Sequence, residues 1–186
     1  MANYYFNPAD HAVGTSLTDI GWTSRWVDRA GDSWLIEEPT AGQKVVRYTK
    51  DSAATGRVGL SWDQIDSDGS RANVEMLIVG RSIDSVSTNL RMLARASGAA
   101  AAETGLVFCF EMVTKLIYTL NGYNAGSTLS ISTGTQVAGA YYNTWVAVRV
   151  RVNGNDHSFK TWFPADPANP TADEPAEWQR TASNSA

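Results

Sequence analysis

Apolar and polar residues alternate with a period of two along most of this chain. The pattern is clearest near its end, where Trp145-Val-Ala-Val-Arg-Val-Arg-Val152 sets valines against arginines. Strict alternation of this kind marks half-buried β-strands, because successive side chains of a strand point to opposite faces. The pattern predicts strands at Trp34–Glu37, Lys44–Thr49, Arg57–Trp62, Asn73–Ser82, Leu90–Ala96, Gly105–Val113, Lys115–Leu120, Thr128–Ser132, Trp145–Val152 and Ser158–Phe163. Turn formers separate most of them: Ala30-Gly31-Asp32, Asp66-Ser-Asp-Gly69, Ser97-Gly98, Asn121-Gly122 and Asn153-Gly154-Asn155. Short strands recurring every 8–12 residues or so are what an all-β, two-sheet antiparallel sandwich or barrel looks like in sequence.

Helical signal is scarce. Ala99–Glu103 is too short and follows a glycine, and Asp84–Thr88 is polar, so both are expected to be connections. No fixed repeat is visible. Four of the six prolines fall between Pro164 and Pro175, which disqualifies that stretch from a regular ladder. It should run over the surface as a strap pinned by Trp178, with Arg180–Ala186 frayed. The expected organisation is an arm or edge segment over residues 1–18, a sandwich over 19–163, and a strap and tail over 164–186.

Composition narrows this picture. The 186 residues are 43% hydrophobic and 18% charged, with 15 glycines and 7 tryptophans, which suits a turn-rich globular protein. A net charge of −4 lacks the basic face that binding to nucleic acid through its phosphates requires, so no nucleic-acid partner is expected. The lone Cys109 excludes an intramolecular disulfide and, in the apolar run Leu106-Val-Phe-Cys-Phe110, is expected to be an inert thiol. No apolar run reaches the ~18 residues of a membrane span. The N-terminus has neither a basic nor an apolar leader region, which predicts a chain made in the cytoplasm.

The closing region also carries a family resemblance. Trp145 opens a strand, Arg149 and Arg151 alternate with valines, and Asn153-Gly154 turns the chain. Lys160-Thr-Trp162 and Glu174-Pro-x-x-Trp178 then follow. This arrangement resembles the concanavalin A-like lectin/glucanase (laminin-G-like) jelly rolls, in particular those of bacteriophage and prophage virion proteins. Leu90–Gly98 and the unit from Lys115 to Gly122 fit the same pattern. The ten residues Pro164–Asp173 lengthen a loop that is short in many such proteins. The resemblance implies two packed antiparallel sheets, a location in a virion, and a homo-oligomer among other virion proteins. It also implies glycan binding as the commonest role of the fold, by analogy only.

Three constellations could carry chemistry. Arg149 and Arg151 lie on the strand face opposite the valines, and Lys160 and Trp162 join them if the turn register allows. The four would then form a cationic, aromatic floor able to stack a sugar or hold an acidic glycan. Alternatively the arginine stems pack on Trp162 and pair with strap acids such as Asp173 or Glu174. Glu75 and Glu111 could face each other as a glycosidase pair, giving a hydrolase or lyase, although no glucanase-type Glu-x-Asp-x-x-Glu is present. The stretch Asp63-Gln-Ile-Asp66-Ser-Asp68-Gly69 groups carboxylates as Ca²⁺ loops do, or is a solvated turn. His11 and His157 are too far apart for a zinc pattern, and no other cofactor is expected. The balance favours a non-enzymatic structural or binding module, such as a capsid decoration or a receptor-facing tail protein. A glycan-active enzyme and a ligand-free cement protein are the alternatives.

Overall fold

The computed structural model describes residues 5–24, 33–49, 60–62, 73–81, 83, 89–97, 104–111, 116–121, 128–129, 135–136 and 143–183. Strands dominate them, all pairings are antiparallel, and helix is confined to short 3₁₀ turns at Pro8–Asp10, Leu17–Ile20 and Pro170–Asp173. The chain is therefore built as an all-β protein. It divides into two compact units, residues 1–70 and 71–186.

In the first unit, β1 (Trp22–Ser24) pairs with β4 (Leu60–Trp62), and β2 (Ser33–Thr40) forms a hairpin with β3 (Gln43–Thr49). The hairpin turns at Ala41-Gly42, where Gly42 takes φ 79°. Its register slips between Glu37 and Thr40, at Pro39, which has no N–H to give the ladder. The N-terminal segment is an edge to this hairpin rather than a free arm. Gly14 donates to Ile36 O, and Ile36 donates to Thr15 O, at 2.8 and 2.9 Å. Lys44 Nζ donates to the His11 carbonyl at 2.7 Å, and Phe6 stacks on His11. Leu17 and Ile36 are buried there.

The second unit holds two larger sheets. In one, β6 (Asn89–Ser97), β7 (Thr104–Glu111) and β8 (Leu116–Asn121) follow one another. The far edge of β8 is shared by β9 (Thr128–Leu129) and β10 (Thr135–Gln136). In the other, the order is β13 (Arg180–Ser183), β12 (Asp156–Trp162), β11 (Val146–Asn153), β5 (Val74–Gly80). Arg180–Ser183 is thus a paired edge strand and not a frayed end. Its backbone finds partners along Asp156–Phe159, and that long-range pairing overrides a local sequence with little apolar content.

Among the residues whose burial is described, most of the buried side chains belong to the β11–β12 hairpin. Gly154 sits first in its two-residue turn with φ 58°, where a type II′ turn places a glycine, and its N–H donates to Asn73 Oδ1 at 2.8 Å. That bond ties the turn to the start of β5. Val146, Val148, Val150 and Val152 form one buried face of β11, and Phe159 on β12 opposes Val150. His157, opposite Val152, is buried on the same face. Truncating Phe159 to Ala should lower the unfolding free energy by about 3–5 kcal/mol in urea titrations, as for a fully buried aromatic. Leu77→Ala, at a partly exposed edge position, should cost much less.

Candidate functional site

The register of the hairpin answers the question left open by the alternation. Arg149 lies directly opposite Lys160, Ala147 opposite Trp162, and Arg151 opposite Ser158. Directly paired residues of antiparallel strands share a face, so Arg149, Arg151, Lys160 and Trp162 all lie on the face away from the valines. On the other side of β11, Glu75 pairs with Arg151 and Leu77 with Arg149, which adds a carboxylate to this face.

The cations are engaged by two carboxylates, one from the sheet and one from the strap. Glu75 Oε1 accepts from Arg149 Nη1 at 2.7 Å, and its Oε2 accepts from Arg151 Nε at 2.7 Å. Glu174 Oε2 accepts from Arg149 Nη2 at 2.8 Å. Its Oε1 lies 2.8 Å from Lys160 Nζ and 2.7 Å from Arg149 Nε. The Arg149 Nε contact is an ion pair whose N–H is not aligned for a hydrogen bond. Lys160 Nζ also donates to the Pro175 carbonyl at 2.6 Å.

Burial ranks these contacts. The Lys160 side chain is 8% exposed, Glu174 15% and Arg149 19%, whereas Arg151 is 49% exposed. The strap-side pairs are therefore the shielded ones, and the Arg151–Glu75 pair is the one that water screens. For Glu174, burial alone would raise its proton affinity, but hydrogen bonds from Lys160 and Arg149 outweigh burial and hold it below the ordinary value of 4.5. Burial opposes ionisation at Glu75 too, and hydrogen bonds from Arg151 and Arg149 lower it. Arg149 is desolvated, yet its bonds to Glu174 and Glu75 hold its proton more tightly than usual.

The tryptophans divide the remaining work. Trp178 lies beneath two cations, with the Arg151 guanidinium 4.7 Å and Lys160 Nζ 5.0 Å from its ring centre. The expected pinning of the strap by Trp178 thus has a definite form. Trp162 has a partner in the strap. It is buried, and its Nε1 donates to the Pro170 carbonyl at 2.6 Å. Asp173 pairs with neither arginine but accepts from the Ala165 N–H at 2.7 Å, which closes the strap's own turn. Two residues gave no signal in the sequence. Gln179 completes the edge of β12 with its side-chain amide, accepting from Thr161 N at 3.0 Å and donating to Thr161 O at 2.7 Å. Asn73 anchors the turn at Gly154. An isolated amide carries no pattern, and its role depends on a strand distant in sequence.

Asp63, Asp66 and Asp68 lie outside the described residues, and so does any geometry for a Ca²⁺ loop. Among the described residues no group of three or more His, Cys, Asp or Glu is placed to hold a metal, and no helix is long and apolar enough to cross a membrane. Glu111 ends β7, in the other sheet of this unit from Glu75.

Two outcomes follow from this geometry. Glu174→Gln should destabilise the second unit by about 1.5–3 kcal/mol, the range for hydrogen bonds to charged groups, and should accelerate amide exchange over 170–183. Glu75→Gln should cost less, because half of its partnership is exposed. The pH dependence has a definite sign. Both folded-state carboxyls titrate below 4.5, so their stabilisation is complete above that value and is lost as pH falls through the lower folded values. Melts from pH 3 to 8 should show an acid limb that flattens in the Glu75→Gln/Glu174→Gln variant. Comparison of the chain with protein-family models, with curated proteins and with solved structures finds no match in any of the three.

Proposed function

We propose that this chain is a non-enzymatic structural module of a phage-type virion, a capsid decoration or tail protein whose cationic, aromatic face holds its own C-terminal strap. In this reading the two sheets of residues 71–186 close as a concanavalin A-like jelly roll, and the protein works among copies of itself and other virion proteins. The observation that carries the structural role is the occupancy of that face. Arg149 and Lys160 are bonded to Glu174, Lys160 also to Pro175 O, and Trp162 to Pro170 O, so the groups that would meet a glycan meet the strap instead. The virion setting rests on the resemblance across Trp145–Trp178. The hydrolase or lyase reading draws no support from Glu75, whose carboxylate oxygens are both taken by arginines while Glu111 lies in the other sheet. The glycan-binding reading keeps one feature, the half-exposed Arg151 over the Trp178 ring.

Mass spectrometry of particles purified on density gradients from lysates of the encoding organism should find the chain at structural stoichiometry. Its absence from particles would sink the virion assignment. On a glycan array the chain should give no signal above background. A signal abolished by Trp178→Ala in a protein of unchanged fold would replace the structural reading with a lectin-like one.

A further inference from the structure

The strap meets the sheet through a small set of groups that all lie within 170–183. These are the Pro170 carbonyl, the Glu174 carboxylate, the Pro175 carbonyl, the Trp178 ring, the Gln179 amide and the β13 backbone. The stretch that delivers them is self-contained. Its turn hydrogen bonds run from Asn169 N to Asp166 O, from Ala168 N to Asp166 Oδ1 and from Ala165 N to Asp173 Oδ2, all inside the connection. Pro164, Pro167 and Pro170 stiffen it. Charge complements the docking: 163–183 carries four carboxylates against one arginine, while the face beneath carries Arg149, Arg151 and Lys160 against Glu75.

From this we propose that the strap is exchangeable, and that residues 170–183 of one copy dock on the β11–β12 face and the β12 edge of a second copy. This goes beyond the structural reading above and does not depend on the particle assigned there. The occupant follows from the chemistry: a second copy presents the same face, and its strap carries the same carboxylate, ring and amide at the same spacing. Every bond between strap and sheet that is broken when a strap leaves is remade in the exchanged pair, so the exchange is opposed by association entropy, which high local concentration offsets, and by reorientation of the chain where it leaves β12. Each site in the exchanged pair is completed by Glu174 of the other copy. The shielded ion pairs set the barrier to opening.

Ser158 and Thr181 supply a direct test. They are paired across β12 and β13, and their hydroxyl oxygens lie 3.2 Å apart, within the reach of a disulfide between cysteines placed there. The single variants Ser158→Cys and Thr181→Cys, one of them isotope-labelled, are mixed as full-length chains under glutathione, and the linked peptides are mapped by mass spectrometry. The expected result is a covalent heterodimer joined between positions 158 and 181, with a yield rising in proportion to protein concentration. The double variant Ser158→Cys/Thr181→Cys reports whether the pair can close within one chain. If it closes while the mixed singles give no such link at any concentration, the strap acts only on its own chain and the proposal fails.

A second pair of variants stands if that linkage does not form at all. Glu174→Arg and Arg149→Glu/Lys160→Glu each mismatch their own strap and face but complement each other in both directions. Mixing them should give a one-to-one dimer with slowed amide exchange over 170–183. Two monomers with unprotected straps after mixing would overturn the exchange.

Discussion

The Glu174 carboxylate is the point on which the outer face of this sheet depends. It sits between Arg149 on β11 and Lys160 on β12, and neither cation could stay so shielded without it. A buried lysine or arginine without a counter-charge is costly, because its charge loses the solvation of water with nothing to replace it. The carboxylate arrives on a strap held by several directed bonds and by the Trp178 ring. Removing the strap would therefore leave a shielded cationic pair with half its partners missing, and removing the cations would leave the strap with little to hold it.

The sheet is thus organised in two chemically distinct halves. The valine face is closed by burial, which is non-directional and indifferent to which apolar side chain lies opposite. The arginine face is closed by directed contacts, in which a 2.6 Å bond from Lys160 to Pro175 O or from Trp162 to Pro170 O specifies one position of the strap. Gln179 extends the same logic to the backbone. Its amide stands in for a strand residue opposite Thr161, just beyond the point where β13 begins to pair. The β12 edge is covered by a side chain and a four-residue strand, a modest cover of the kind that protects sheets from edge-to-edge association.

Much of this was legible in the residues. Alternation located the strands now seen as β2 to β9, β11 and β12, because burying one face leaves its period in the sequence. Asn153-Gly154-Asn155 marked the hairpin turn. The strap and its Trp178 anchor were expected from prolines that cannot sit in a ladder and an aromatic that should not stay in water. The pairing of Arg149 with the strap acid Glu174 was one of the two roles open to the arginines. The two-residue strand β10, the strand Trp22–Ser24 and the edge strand Arg180–Ser183 were not legible, since each is too short to show a period.

The sequence by itself determined the all-β character, the face that Arg149 and Arg151 share, and the need for the proline-rich segment to run outside the ladder. These are local consequences of alternation and of missing N–H donors. Only the tertiary structure decided that Lys160 and Trp162 join that face, that Glu174 rather than Asp173 reaches the cations, and that Arg180–Ser183 ends the sheet instead of fraying. Each of those depends on a register between segments distant along the chain. A slip of one residue would send every side chain to the opposite face, and no local pattern encodes which register wins.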